Sequence, residues 1–101
     1  MPHFSVIIPT YNRAHLLPMA IESVLQQSFE DFEIVISNGG STDNTGDVVK
    51  QFSDPRIKYF ESAKRLSVGD NYQTGLENAS GEYITFLSDD DAFSLNTIKE
   101  V

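Results

Sequence analysis

A chain of 101 residues, 40% hydrophobic and 22% charged, has the composition of one small globular domain with a single modest core. Its formal net charge of −8 argues against a nucleic-acid or anionic-membrane surface. It has no cysteine, which excludes a disulfide scaffold and a thiolate zinc site, and no apolar run approaches the ~20 residues of a membrane span.

Met1-Pro2-His3 runs straight into a predicted strand, leaving no room for a signal peptide and pointing to a cytoplasmic location. That strand is Phe4-Ser5-Val6-Ile7-Ile8, closed by Pro9. Thr10-Tyr11-Asn12-Arg13 follows as a loop, with Thr10 or Asn12 suited to cap a helix. From Ala14 to about Gln27, Leu17, Ala20, Ile21, Val24 and Leu25 recur at helical spacing, and Pro18 fits only in the first turn. Phe32 to Ile36 reads as a second strand and Ser37 to Asp43 as a polar, glycine-containing loop. A helix is expected from Asn44 to Phe52, with Val48, Val49 and Phe52 facing inward. A turn at Asp54-Pro55 leads to a third strand, Arg56 to Phe60. The basic loop Lys64-Arg65 then precedes a helix from Ser67 to Ala79, stopped by Gly81. Tyr83 to Leu87 is a fourth buried strand, and a further helix is expected from Ser94.

Alternation of this kind predicts an α/β fold, a Rossmann-like parallel sheet with helices on both faces and right-handed crossovers. Ligands of such sheets bind at the carboxyl ends of the strands. The loops expected there, Thr10–Arg13, Ser37–Asp43 and Ser88–Asp91, are also the most polar stretches of the chain. Ser88 is followed by three consecutive aspartates, whose mutual repulsion a divalent cation would relieve. Hard cations such as Mg²⁺ or Mn²⁺ take oxygen ligands, often completed by substrate phosphates. A solvated acidic turn that caps the next helix accounts for the same residues. There is no dinucleotide fingerprint and no P-loop. Tyr11, an aromatic in a strand-end loop, is placed to stack on a base. Lys64 and Arg65 are placed to meet phosphates or simply to be solvated, and Asp70 and Asn71 read as first-turn helix residues.

Phe4-Ser5-Val6-Ile7-Ile8-Pro9-Thr10-Tyr11-Asn12-Arg13 resembles the opening of family 2 glycosyltransferases of the GT-A type. The resemblance continues through Ser23-Val24-Leu25-Gln26-Gln27-Ser28, Phe32-Glu33-Ile34-Val35-Ile36, Gly40-Ser41-Thr42-Asp43-Asn44-Thr45 and Asn71. It then takes in Ala79-Ser80-Gly81-Glu82-Tyr83-Ile84 and ends in Phe86-Leu87-Ser88-Asp89-Asp90-Asp91. Any one of these motifs is weak, and the ordered set is specific. The resemblance implies that Thr10, Tyr11 and Arg13 cradle the nucleobase and ribose of a nucleoside-diphosphate sugar, a UDP-sugar first among them. Where the family carries an acidic pair, one member of which contacts the base, this chain has Asn38 and Gly39, so that the acid is missing and Asn38 is left to offer a donor and an acceptor. The family's Asp-x-Asp element falls on Ser88-Asp89-Asp90, which implies Asp90 as the ligand of Mn²⁺ or Mg²⁺. Asp91 and Asp89 stand beside it, Asp89 on the donor-binding side.

The resemblance further implies an inverting, metal-dependent glycosyl transfer in polysaccharide or glycoconjugate synthesis, at the cytoplasmic side and peripheral to the membrane's inner face. GT-A domains run to ~200 residues or more. Residues 1–101 therefore correspond to the donor-nucleotide half, and the catalytic base of the family's acceptor half has no counterpart here. On this reading the chain alone is inactive. A sheet that ends after its fourth strand is expected to leave an edge and an apolar face that promote self-association or marginal stability. A nucleotide-binding module without catalysis, and an inert α/β scaffold whose aspartates form a solvated turn, are the other readings of the same residues.

Overall fold

The computed structural model describes residues 3–27 and 31–88. Four strands alternate with three helices: β1 (Phe4–Thr10), α1 (Leu17–Leu25), β2 (Phe32–Asn38), α2 (Thr45–Lys50), β3 (Ile57–Glu61), α3 (Val68–Glu77) and β4 (Tyr83–Phe86). The sheet is wholly parallel in the order β3-β2-β1-β4. The predicted α/β doubly wound architecture is the one observed.

The two faces of the sheet explain why the strands lack clean polar alternation. Phe4, Val6 and Ile8 of β1, with Phe32, Ile34 and Ile36 of β2, join Leu17, Ala20, Ile21 and Val24 of α1 and Val49 of α2 in the main core. The intervening residues point the other way, as the period of two requires. There Ile7 meets α3 at Gly75, where an added Cβ would lie 2.5 Å from the Ile7 Cγ2. Strands covered on both faces read as continuous apolar runs.

At the amino ends of the strands, that second face holds a polar cluster. Glu33 is buried and receives Ser5 Oγ at 2.5 Å, Lys58 Nζ at 2.5 Å and the Ser80 backbone N–H at 2.6 Å. Gly81 N–H in turn donates to Ser5 Oγ at 2.7 Å, which ties the turn before β4 to β1 and β2. Burial by itself would raise the Glu33 pKa. The hydrogen bonds from Lys58, Ser5 and Ser80 outweigh it and lower the carboxyl from 4.5 to about 2.

Pro18 is the second residue of α1, where its missing N–H costs nothing. The expected cap at Thr10 or Asn12 does not form. Thr10 is the last residue of β1, and α1 starts late, with Leu16 at the capping position and no side-chain cap. The helix expected from Ser94 lies outside the described residues. Among the described residues, no helix is long and apolar enough to cross a membrane.

Candidate functional site

β1 and β2 are central and in register, Thr10 opposite Asn38, so their two following loops leave the sheet side by side. Asn12 joins them. It sits in the left-handed region at φ 52°, a conformation that asparagine tolerates better than most residues. Its backbone N–H donates to Ser41 Oγ at 2.9 Å, and its Oδ1 accepts the backbone N–H groups of Thr42 at 2.7 Å and Asp43 at 3.2 Å. Asp43 reaches back, accepting Ala14 N–H at 3.1 Å, Thr45 N–H at 3.1 Å and a short hydrogen bond from Thr45 Oγ1. Burial pushes the Asp43 carboxyl up, but the bonds from Thr45 and Ala14 prevail and lower its pKa. This reciprocal tie, not helix capping, is what Asn12 does.

A third wall comes from the loop between β3 and α3. Ser62 N–H donates to the Asn38 carbonyl and Leu66 N–H to the Gly39 carbonyl, each at 3.0 Å. Gly40, at φ 87°, lies so close that a Cβ there would stand 2.5 Å from the Lys64 carbonyl oxygen. Glycine is therefore required for both conformation and space. This contact carries Arg65 over the site, its guanidinium carbon 4.7 Å from the centre of the Tyr11 ring. Ser67 caps α3 by accepting Asp70 N–H at 3.1 Å.

Between these walls is an open cleft of about 610 Å³. Thr10, Tyr11, Arg13, Arg65, Asn71 and Ser88 are among the residues that line it, and no carboxylate is among its described lining. In a chain of net charge −8, two arginines and an aromatic ring thus converge at the carboxyl edge of the sheet. Such a surface suits an anion joined to a flat ring.

Of the residues singled out from the sequence, Thr10, Tyr11 and Arg13 are brought together in this cleft. Asn38 is not among its lining residues. Its side chain is buried, donating from Nδ2 to Tyr59 Oη at 2.7 Å and accepting Ser41 N–H at Oδ1 at 2.9 Å. Burial, then the hydrogen bond to Glu61, pushes the Tyr59 hydroxyl up to about 12, so it remains a proton donor to that carboxylate. His3 lies at the opposite end of the sheet, against Phe4 and Tyr83. Asp89, Asp90 and Asp91 lie outside the described residues. They directly follow Ser88, which lines the cleft, and three carboxylates are the hard oxygen donors that Mg²⁺ or Mn²⁺ takes. The donor set fits such a cation.

Arg65 and Asn71 also line the cleft. Arg65 read as a loop cation that either meets phosphates or is solvated, and its position over the cleft depends on Gly40. Asn71 read as a first-turn residue of α3, whereas its carboxamide crosses to the strands: Nδ2 donates to the Thr10 carbonyl at 3.2 Å and Oδ1 accepts Ser37 Oγ at 2.7 Å. Its presence within the resemblance was the one available signal.

Comparison with known proteins agrees with this geometry. The family described as Glycosyl transferase family 2 matches residues 5–101. A GalNAc(5)-diNAcBac-PP-undecaprenol beta-1,3-glucosyltransferase of Campylobacter jejuni is 48% identical over 94 residues, which are 90% of this chain and 30% of that protein. Among solved structures, Staphylococcus aureus TarS 1-349 in complex with UDP-GlcNAc superposes with a TM-score of 0.92 at 30% identity, over 99% of this chain and 30% of that one. The mannosyltransferase PcManGT of Pyrobaculum calidifontis, in complex with GDP-Man and Mn²⁺, gives 0.88 at 26% identity, over 96% and 30%. This chain spans about a third of the length of these relatives.

Proposed function

The chain belongs to glycosyl transferase family 2, and on that premise we propose that it is the donor-nucleotide half of an inverting glycosyltransferase that takes a UDP-sugar. The observation that carries this reading is the cleft itself. Tyr11 offers a ring face to a base, and Arg13 and Arg65 offer guanidinium groups to a diphosphate, with no carboxylate in the described lining to oppose them. Each guanidinium matches phosphate oxygens in plane and charge. The parallel-sheet edge and the TarS complex with UDP-GlcNAc support the same class of ligand.

In this reading Asp90 would hold a divalent cation, with Asp91 as a further oxygen ligand and Asp89 assigned to donor binding. The cation, when bound, supplies neutralisation of the charge that develops on the departing diphosphate. The chain's own residues bind and orient. Tyr11 and Thr10 fix the nucleoside, and the two arginines hold the phosphates. The acceptor side and the general base belong to a part of the family's domain beyond these 101 residues. The name of the Campylobacter relative carries an undecaprenol diphosphate. A lipid-linked glycan at the inner face of a membrane is accordingly the acceptor class we assign, in polysaccharide or glycoconjugate synthesis.

Calorimetric titration of UDP, GDP and CDP, with and without Mn²⁺, on the chain and on Asp90→Ala tests the reading. The expected outcome is Mn²⁺-dependent binding of UDP that the variant loses by about tenfold or more. Binding that ignores Mn²⁺ and Asp90 would leave a nucleotide module without the cation site. No binding of any nucleotide would remove the donor-half reading for this chain.

A further inference from the structure

Asn71 is the residue whose placement the donor-site reading leaves unexplained. It is a polar side chain on a helix, yet only 6% exposed, and it lies in the wall of the cleft. The Thr10 carbonyl can only accept a hydrogen bond, so the end of the carboxamide that faces it must be the nitrogen. The Ser37 hydroxyl donates to the other end. These two bonds fix the amide's orientation and use one N–H and one lone pair. The second N–H and the second lone pair of the same amide are left for a ligand.

The absence of a side chain at Gly39 makes room for that amide. An added Cβ at Gly39 would stand 3.0 Å from the Asn71 Cγ and 3.0 Å from its Nδ2. Any side chain at residue 39 would therefore push the carboxamide aside. The bond to Thr10 also places the amide one residue from Tyr11, the ring on which a base would stack. Asn38, meanwhile, is turned away and engaged by Tyr59 and Ser41. Among the described lining residues, Asn71 alone presents a donor and an acceptor side by side in one rigid plane.

We infer that Asn71 is the specificity-determining residue for the nucleobase, its pre-oriented carboxamide pairing with adjacent donor and acceptor atoms on the edge of uracil, and that Gly39 is required to seat it. This rests on the donor-site reading and adds to it the group that tells one base from another. A paired donor and acceptor discriminate between base edges because a mismatched edge leaves a desolvated polar group unpaired.

The test is the ratio of UDP to CDP affinity, measured by calorimetry with Mn²⁺ on the chain, on Asn71→Asp and on Gly39→Ala. Asn71→Asp replaces the donor end by a second acceptor, whereas Gly39→Ala keeps Asn71 and displaces it. The expected result is a preference for UDP in the unaltered chain that falls about tenfold in both variants. Circular dichroism melting identifies a variant that fails to fold, and Gly39→Ala then carries the test. Equal losses for UDP and CDP, including loss of all binding by folded variants, would mean that Asn71 only braces the loops and would overturn the inference. So would an unaltered chain that binds UDP and CDP alike, with the donor-site reading intact. An unaltered chain that binds neither would overturn both.

Discussion

Glu33 shows how one residue can hold a fold together and set its acid limit. Its carboxylate gathers Ser5, Lys58 and Ser80 from three other segments of the chain. The folded pKa of about 2 lies below the ordinary 4.5, so the unfolded chain binds the proton more tightly. Stability from this group is fully present above about pH 4.5 and is lost as pH falls towards 2. Glu33→Gln is expected to lower stability at pH 7 by about 2 kcal/mol and to flatten the acid limb of a urea-melting series between pH 5 and pH 2. An unchanged acid limb in the variant would show that other carboxylates govern acid unfolding. The same scale also shows what sequence could not supply. Asn71 read as an ordinary helix residue because its partners Ser37 and Thr10 are 34 and 61 positions away. Asn12 read as a cap for the same reason, its true partners being Ser41 to Asp43.

Among the elements, α3 carries two glycines with opposite meanings. A Cβ at Gly69 would meet nothing within 4 Å, whereas one at Gly75 would stand 2.5 Å from the Cγ2 of Ile7. Ile7 is fully buried and stiff at its branched carbon, so it has nowhere to move. Gly69→Ala is expected to raise stability by up to ~1 kcal/mol through helix propensity. Gly75→Ala gains the same propensity but forces helix and strand apart, and should lower stability by about 1–3 kcal/mol. Chemical denaturation of the two variants side by side checks both signs, and two shifts in the same direction would refute the packing argument. The elements were also what the sequence displayed best. Helices with a regular apolar stripe declare themselves through spacing, and short apolar runs bounded by turn residues read as strands through their length and composition. The run Tyr83 to Leu87, expected to be buried, does form β4 but leaves Tyr83, Ile84 and Phe86 exposed. The starts of α2 at Asn44 and α3 at Ser67 were legible from a polar residue ahead of the apolar stripe, whereas α1 begins later than expected, at Leu17, with no side-chain cap.

At the scale of the whole molecule, the apolar surface is unevenly distributed. Val68, Tyr72 and Leu76 recur every four residues along α3, and the Tyr72 ring packs against Phe86 of β4 with centroids 5.0 Å apart and planes tilted by 50°. These four side chains, with Tyr83 and Ile84 of β4, are exposed among the described residues. Beside them β4 is an edge of the four-stranded sheet, and an edge next to an apolar face favours association. Static light scattering is expected to show an apparent mass that rises with concentration, and Leu76→Glu on the exposed flank of α3 to suppress the rise. A monomer at every concentration would show that this surface is covered or too small to drive association.

The order β3-β2-β1-β4 also has a consequence in time. Of these four strands the first to leave the ribosome is a central one, and its second neighbour is the last to be made. Pairing Ile7 with Phe86 closes a loop of roughly eighty residues, so the slowest contact to form is one that shields the most apolar strand. At translation speeds of roughly 5–20 residues per second, β1 waits about one to five seconds with a bare flank after β3 has emerged. Synonymous codons that slow translation between Glu61 and Tyr83 would lengthen that interval. The yield of folded chain should then fall although no amino acid has changed.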